Sequence, residues 1–380
     1  MRKTILLTLS HLLVAILAAV LALRLTPGAE TTKLDQLETL ILERFIGEAD
    51  RTAIEDAAAD AMVNALGDRW SYYIPASEYT AYLEQMENAY VGVGITIQAD
   101  PMGRGFLVLD VTVGGPAEEA GILVDDILID VEGTDLAGID INATRDMVRG
   151  EEGSFVQMTF LRGGEELTLS VERRRIQTPV AEWQMLEGNV GLVKIANFDE
   201  RCAQETIQAI EELMAQGAEA LIFDLRTNPG GYVREMVKIL DHLLPEGDLI
   251  RTVDFAGHES VDKSDASFLD IPMVVLIDSN SYSAAEFFAQ ALREYDAALV
   301  VGEKTCGKGY FQYTYGLGDG SAVGLSVGKY YTPKGISLAD VGVTPDVEIP
   351  LDAELWADIY YGRVDPMEDP HILAALELLK

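Results

Sequence analysis

The sequence predicts an α/β core with a mainly parallel sheet, plus an inserted β-rich domain and an N-terminal helical region. Three continuous apolar runs, Ala220–Leu225, Met273–Asp278 and Ala297–Val301, alternate with segments of helical periodicity. Such runs are typical of parallel strands that are covered by helices on both faces. A chain of 380 residues has room for two or three domains.

The chain opens with Met-Arg-Lys and an apolar run from Thr4 to about Leu23. About twenty residues at ~1.5 Å each span a bilayer core of roughly 30 Å. The absence of a clear Ala-x-Ala step favours an uncleaved membrane anchor over residues 1–25, with a cleaved signal peptide and secretion as the alternative. The N-terminal positive charge indicates that the rest of the chain lies outside the cytoplasm.

Residues 32–87 have helical spacing of apolar side chains and read as three helices, the last from Ser77 to Met86. They carry no catalytic-looking cluster, so packing or dimerisation is their expected role.

Residues 88–175 read as the β-rich domain. Its predicted elements are strands at Val91–Ile97, Phe106–Val111 and Asp126–Val131, a helix at Ile141–Val148, and a hairpin of Phe155–Arg162 and Glu165–Glu172 around Gly163-Gly164.

Strands and helices alternate over residues 180–350, and a helical tail follows over residues 351–380. The helix from His371 to Lys380 is expected either to pack on the core or to form a dimer contact. In parallel sheets, reacting groups gather outside the carboxyl ends of the strands. The loops that follow the apolar runs are therefore the first place to look for chemistry.

The charge and cysteine content limit the partners and cofactors that this chain is expected to bind. The chain has 28 basic and 63 acidic residues, a net charge of −35, and such a field would repel a phosphate backbone. Nucleic acid is therefore not an expected partner. Its only two cysteines, Cys202 and Cys306, are expected to be free and packed, with a disulfide as the alternative. No Cys/His cluster suggests a metal, and no cofactor is expected.

Three loops follow predicted strands and hold reactive groups: Asp224–Gly231, Asp278–Glu286 and Gly302–Gly309. The Gly230-Gly231 pair could aim backbone N–H groups at an oxyanion, although Pro-Gly-Gly is also ordinary turn chemistry. Ser281 or Ser283 could simply cap a helix, whereas a nucleophile there would gain the helix N-terminus. Lys308 lies between two glycines. A Gly-Lys pair also occurs in phosphate-binding loops, but those require Ser or Thr after the lysine, where this chain has Gly309.

In this order and combination the motifs resemble the carboxyl-terminal processing peptidases, or tail-specific proteases. The resemblance covers nearly everything after the anchor. The segments that carry it are Leu66–Asp68, Tyr72-Tyr73, Val91–Ile95, Gly114–Gly121, Asp224–Gly231, Ser281–Glu286, Gly307–Gly309, Tyr331–Gly335 and Gly342–Asp346. Tyr282, Ala285 and Asp125 depart from the usual alanine, serine and glycine of the family.

The resemblance implies a Ser-Lys protease core over residues 180–350, with Ser283 as nucleophile and Lys308 as general base. Gln312 would orient the lysine. The oxyanion donors would be the N–H of Gly230 or Gly231 and that of Ala284. A neutral lysine can act as a base, and lowering its pKa from ~10.4 to ~7.5 takes about 4 kcal/mol, which burial can supply. Cys306 is a rival nucleophile without an identifiable base.

The resemblance also implies that the β-rich domain is a PDZ domain. Such domains bind an extended chain end by strand addition and hold its carboxylate with backbone N–H groups. The expected binding segment is Val91, Gly92, Val93, Gly94 and Ile95. Arg149 corresponds to an arginine with which the family senses substrate, although a solvated charge at a helix end is an equal reading. The domain is expected to gate the catalytic site.

The expected function is that of a membrane-tethered, extracytoplasmic serine endopeptidase. It would recognise free C-terminal tails of proteins or peptides and cleave through an acyl-enzyme, and it could form a homo-oligomer. One alternative is a catalytically silent PDZ scaffold of the cell envelope, which intact Ser283, Lys308 and Gln312 disfavour. Another is a purely structural envelope protein, disfavoured by three loops that hold reactive groups at strand ends.

Overall fold

The computed structural model describes residues 32–380, and the predicted anchor over residues 1–25 lies outside them. Within residues 32–380 no helix has both the length and the apolar character that a bilayer crossing needs. The chain divides after Tyr73 into two compact units.

Between residues 32 and 73, the first unit holds two helices that begin at sequence-encoded caps. Helix α1 is Lys33–Arg44 and helix α2 is Arg51–Asn64. Thr32 and Asp35 form a reciprocal capping box at α1, while Asp50 accepts the N–H of Ala53 at α2. A short strand, β1 (Tyr72–Ile74), ends this region. Both helices were predicted from apolar spacing, and the third predicted helix is present as α3, Ala76–Met86.

The β-rich domain lies at the start of the second unit. Its elements are β2 (Ala89–Gly92), β3 (Ile95–Ala99), β4 (Phe106–Val111), α4 (Pro116–Glu119), β5 (Ile127–Val131), β6 (Thr134–Asp135), α5 (Ile141–Val148), β7 (Phe155–Arg162), β8 (Glu165–Glu172) and β9 (Arg174–Gln177). The antiparallel sheet has the order β3-β4-β5-β7-β8, with β6 on β5, and β2 pairs separately with β9. Its core includes Val108, Leu128, Val156 and Phe160.

The predicted hairpin and helix of this domain are confirmed residue for residue. The predicted strand Val91–Ile97 is wrong as one element, because Gly94 has a φ of +81° and the chain changes sheet there. The departure at Asp125 has a physical basis as well. Asp125 has a φ of +71°, a conformation in which glycine is unstrained and aspartate is tolerated better than most other residues.

The central sheet is mainly parallel, as the sequence predicts. Its order is β10-β11-β12-β15-β16-β19, and only the β10–β11 pair is antiparallel. The elements are β10 (Ala181–Leu186), β11 (Val190–Ile195), α6 (Cys202–Ala215), β12 (Ala220–Asp224), α7 (Val233–Leu243), β15 (Met273–Ile277), α8 (Ala284–Glu294), β16 (Ala298–Gly302) and β19 (Val347–Glu348).

Alternate residues of the central strands enter two separate cores. Leu221 and Phe223 of β12 pack on one face with Leu240 of α7 and Phe288 of α8. Ile222 faces the other side, where it joins a smaller cluster with Ile372. That cluster is covered by the C-terminal helix α10 (Pro370–Leu378), which follows α9 (Ala353–Tyr360) and a 3₁₀ turn at Pro366–Glu368. The predicted terminal helix therefore packs on the core.

A further antiparallel sheet was not predicted. It contains β13 (Gly247–Asp254), β14 (Glu259–Ser264), β17 (Tyr310–Gly316) and β18 (Ala322–Tyr331), in which β18 pairs with both β13 and β17. A bulge between Phe311 and Gln312 shifts the β17–β18 register. Its strand β17 carries Gln312 and begins directly after the loop of Lys308.

Candidate active site

The three loops singled out in the sequence follow β12, β15 and β16, which are neighbours in the central sheet. The N–H of Leu225 bonds the carbonyl of Leu276, and that of Glu303 bonds the carbonyl of Ile277. Adjacent parallel strands thus deliver all three loops to one edge, as expected for this architecture.

Ser283 lies at the N-terminus of α8 in a strained conformation. Its φ is 52° and its ψ is −118°, a region that residues with a Cβ rarely adopt and that costs about 1–3 kcal/mol. Its exposed fraction is only 8%. Ser281, the other candidate, is fully buried, and its hydroxyl donates to the carbonyl of Leu225 at 2.8 Å. Ser281 therefore stabilises the conformation of the loop, whereas Ser283 lies at the N-terminal end of α8.

The loop of Asp224–Gly231 packs directly against Ser283. The N–H of Tyr282 donates to the carbonyl of Asn228 at 2.9 Å. A Cβ added to Gly230 would lie 2.9 Å from Cβ of Ser283, so only glycine allows this approach. The structure thus brings together Ser283, Ala284, Gly230 and Gly231.

One of the predicted oxyanion donors is already engaged. The N–H of Gly230 donates to Oδ1 of Asn228 at 2.8 Å, while Nδ2 of Asn228 donates to the carbonyl of Ile195. Asn228 is fully buried, so these bonds hold the glycine turn in place. The N–H groups of Gly231 and Ala284 are left as the candidates for an oxyanion site.

Lys308 lies half-buried in a loop that needs its flanking glycines. A Cβ at Gly307 would lie 2.8 Å from the N of Val341, and one at Gly309 would lie 2.4 Å from the N of Ala339. The two glycines let the loop pack tightly on residues 338–343. The N–H of Lys308 donates to Oε2 of Glu286 at 2.8 Å.

Glu286 connects the serine and lysine loops, and it was missed in the sequence. Its carboxylate accepts the N–H of Ser283 at 2.9 Å as well as that of Lys308. It is fully buried on the first turn of α8. The available signal was the spacing Ser-x-x-Glu at a helix start, the pattern of a capping box.

Gln312 lies on β17, four residues after Lys308. Its Nε2 donates to the carbonyl of Tyr310 and to Oγ of Ser326, each at 3.1 Å. The bulge at Phe311–Gln312 and these two bonds fix the direction of its side chain.

A network of three buried charged side chains stabilises the loop of Asp224–Gly231. Arg226 bonds Asp224 at 2.7 Å and Asp369 at 2.8 Å, and all three are less than a tenth exposed. Burial alone would raise the pKa of Asp224, but the Arg226 guanidinium holds it below the usual value. Since Asp369 caps α10, the network joins the C-terminal helix to the site loop.

A second site lies in the β-rich domain, where a cavity of about 310 Å³ opens between β3 and α5. It is lined by Gly92, Val93, Gly94 and Ile95 of the predicted binding segment, with Arg149 at its end. The Arg149 guanidinium lies 5.4 Å from the ring centre of Tyr90. Val91, by contrast, pairs with Arg175 in the β2–β9 ladder.

Cys202 and Cys306 do not form the disulfide that was the alternative expectation. Cys202 is buried, and burial raises the pKa of its thiol strongly. Cys306 is half-buried beside the loop of Lys308.

Sequence models of two known protein families match this chain, one over the central sheet and one over the β-rich domain. The sequence model of Peptidase family S41 matches residues 189–349, and a PDZ domain model matches residues 107–162. The chain is 30% identical over 329 residues to the carboxy-terminal processing protease CtpA of Bacillus subtilis, covering 86% of this chain and 70% of that protein. It belongs to the serine-type carboxyl-terminal processing peptidases of family S41. The resemblance of its motifs to that family is confirmed.

Other relatives agree with this assignment. A probable CtpA-like serine protease of Staphylococcus saprophyticus is 30% identical over 324 residues, which cover 84% of this chain and 65% of that protein. The chain therefore spans about two thirds of the length of these S41 relatives. A solved structure of a putative S41 protease from Bacteroides fragilis shares the fold, with a TM-score of 0.54 at 15% identity, covering 87% of this chain and 98% of the other.

Proposed function

We propose that this S41 chain is a serine endopeptidase that recognises free C-terminal tails and cleaves with Ser283 as nucleophile and Lys308 as general base. The observation that carries the proposal is the strained backbone of Ser283 at a helix N-terminus, against the Gly230–Gly231 turn. Strain of this kind persists only where its surroundings enforce it, and it concentrates at functional sites.

In the proposed reaction, Oγ of Ser283 attacks the scissile carbonyl carbon and Nζ of Lys308 takes the hydroxyl proton. The tetrahedral oxyanion accepts hydrogen bonds from the N–H groups of Gly231 and Ala284. Collapse breaks the C–N bond, and Lys308 returns the proton to the leaving amine. Water then attacks the acyl-enzyme with the same lysine as base, which restores the Ser283 hydroxyl.

Two features support the choice of base. Lys308 is half-buried, and burial disfavours the charged ammonium form. Gln312 on the strand that follows is uncharged, so its Oε1 could accept a hydrogen bond from Nζ and orient the lysine without the negative charge that a carboxylate would add.

Tail recognition is proposed for a PDZ domain of residues 88–175. Backbone N–H groups around Gly94 would hold the terminal carboxylate, and β3 would pair with the incoming strand. Ile95, Ile97 and Val148 make part of the cavity wall apolar, which suits an apolar last residue. Arg149 would add a charge-assisted contact to the carboxylate.

The proposal also includes a membrane tether over residues 1–25, a helical region over residues 32–87 and a helical tail over residues 351–380. The catalytic part would face the extracytoplasmic side, and the helices of residues 32–87 would be free to form a homo-oligomer contact. The apolar run from Thr4 to about Leu23, preceded by Arg2 and Lys3, supports the tether.

The test is cleavage of an unfolded protein with an apolar C-terminal tail by the full-length chain. Ser283→Ala and Lys308→Ala should each lower kcat/KM by at least 1,000-fold. Lys304→Ala, four residues before Lys308 and exposed, is the matched control and should retain full activity. Full activity of either dyad variant would refute the assignment. Inactivity of all proteins, together with intact tail binding, would favour the PDZ scaffold.

A further inference from the structure

Glu286 is a fully buried carboxylate with no role in the proton transfers described above. Four N–H or O–H donors converge on it, and the thiol of Cys306 lies 4.0 Å from its Oε2. Oε1 accepts the hydroxyl of Thr305 at 2.5 Å and the N–H of Gly307 at 2.8 Å. Oε2 accepts the N–H groups of Ser283 at 2.9 Å and Lys308 at 2.8 Å.

This set of partners requires a carboxylate. Both oxygens face donors, so an amide in the same place would turn its NH₂ group against two of them. Burial raises the pKa of Glu286, while the bonds from Thr305, Lys308, Gly307 and Ser283 oppose that shift. Donors on every side favour the ionised form, because a protonated oxygen would need an acceptor of its own.

The position of the carboxylate has a consequence for Ser283. Its N–H is drawn toward Glu286, which helps to hold the backbone at φ 52° against strain. The same oxygen accepts the N–H of Lys308, so one atom joins the backbones of the two residues that must exchange a proton. Small displacements at such a pair are costly, because 1 Å of misplacement can lower the rate roughly 100-fold.

We propose that Glu286 is a positioning residue that fixes the Ser283 and Lys308 backbones relative to each other. This inference rests on the proposed Ser-Lys function. It acts through those residues and does not touch substrate, so its removal should lower kcat and leave KM nearly unchanged.

The experiment compares Glu286→Gln with Glu294→Gln in the full-length protein. Glu294 lies on the same helix, is 8% exposed, and accepts the N–H of Lys334 at 2.7 Å, so it is a matched buried carboxylate. We expect Glu286→Gln to lower kcat about 100-fold with KM within threefold, and Glu294→Gln to change neither by more than threefold. A folded Glu286→Gln enzyme with kcat within threefold of the parent overturns the inference, as does an equal loss of kcat in both variants.

Thr305→Val covers the case in which Glu286→Gln does not fold. It removes one of the four donors and leaves the carboxylate in place, so we expect kcat to fall about tenfold with KM unchanged. An unchanged kcat in Thr305→Val would overturn the inference in that case. Ser283→Ala separates the two levels of the account. If it is as active as the parent, the proposed function fails. If it is inactive while Glu286→Gln is fully active, only the positioning role fails.

Discussion

The packing of Gly230 against Ser283 makes Gly230→Ala a sharp test of the site geometry. The new methyl group would lie 2.9 Å from Cβ of Ser283 and 2.8 Å from the carbonyl oxygen of Tyr282. Carbon atoms pack best at about 3.5–4.0 Å, so Ser283, the proposed nucleophile, must move by roughly 0.6 Å or more. Since misplacement of 1 Å costs roughly 100-fold, we expect kcat/KM to fall about 10- to 100-fold.

The control for Gly230→Ala is Gly217→Ala. Gly217 has a φ of +93°, close to the +89° of Gly230, and a Cβ there would have no heavy atom within 4 Å. Both variants carry the same backbone strain, about 1–2 kcal/mol of unfolding free energy, measurable by urea denaturation. Only Gly230→Ala should lose peptidase activity. Activity of Gly230→Ala within threefold of the parent, or an equal loss in Gly217→Ala, would refute the proposed contact with the nucleophile.

Three further predictions concern stability, tail binding and thiol reactivity. Arg226→Met should lower the unfolding free energy by about 3–5 kcal/mol in urea denaturation, because Asp224 and Asp369 would be left buried without their partner; a change under 1 kcal/mol would contradict this. Arg149→Ala should weaken binding of a fluorescent peptide with a free terminal carboxylate at least fivefold. Binding of the same peptide with an amidated C-terminus should not change, and an equal loss for both peptides would exclude a contact between Arg149 and the carboxylate. In native protein at about pH 8, iodoacetamide should modify Cys306 but not Cys202, because burial raises the pKa of the Cys202 thiol. Rapid labelling of Cys202 before the protein unfolds would contradict its buried position.

The sequence predicted the parts of the fold whose signals are local. Apolar strands such as Met273–Ile277 and amphipathic helices such as Cys202–Ala215 carry their own periodicity. The hairpin around Gly163-Gly164 carries its own turn chemistry.

The sheet of β13, β14, β17 and β18 lacks such signals. Glu259–Ser264 is mostly polar and exposed, so no apolar alternation marks it as a strand. The conformation of these strands is fixed by pairing with distant partners, which no local window contains.

The same distinction holds for the candidate site. The loops around Ser283 and Lys308 could be predicted, because each follows an apolar strand. The bonds that Glu286 accepts from residues 305–308, and the bond that Asn228 accepts from Gly230, depend on how loops fold back on one another. Hence the sequence left both glycines open as oxyanion donors, whereas the structure engages the N–H of Gly230 with Asn228.

The central claim, that Ser283 is the nucleophile and Lys308 its base, is tested most directly by covalent labelling. The full-length protein is treated with a fluorophosphonate probe and the adduct is located by tandem mass spectrometry. The account predicts one adduct, on Ser283, and a labelling rate at least 100-fold lower in Lys308→Ala but unchanged in Lys304→Ala. An adduct on another residue, or equal labelling of Lys308→Ala and the parent, would contradict it.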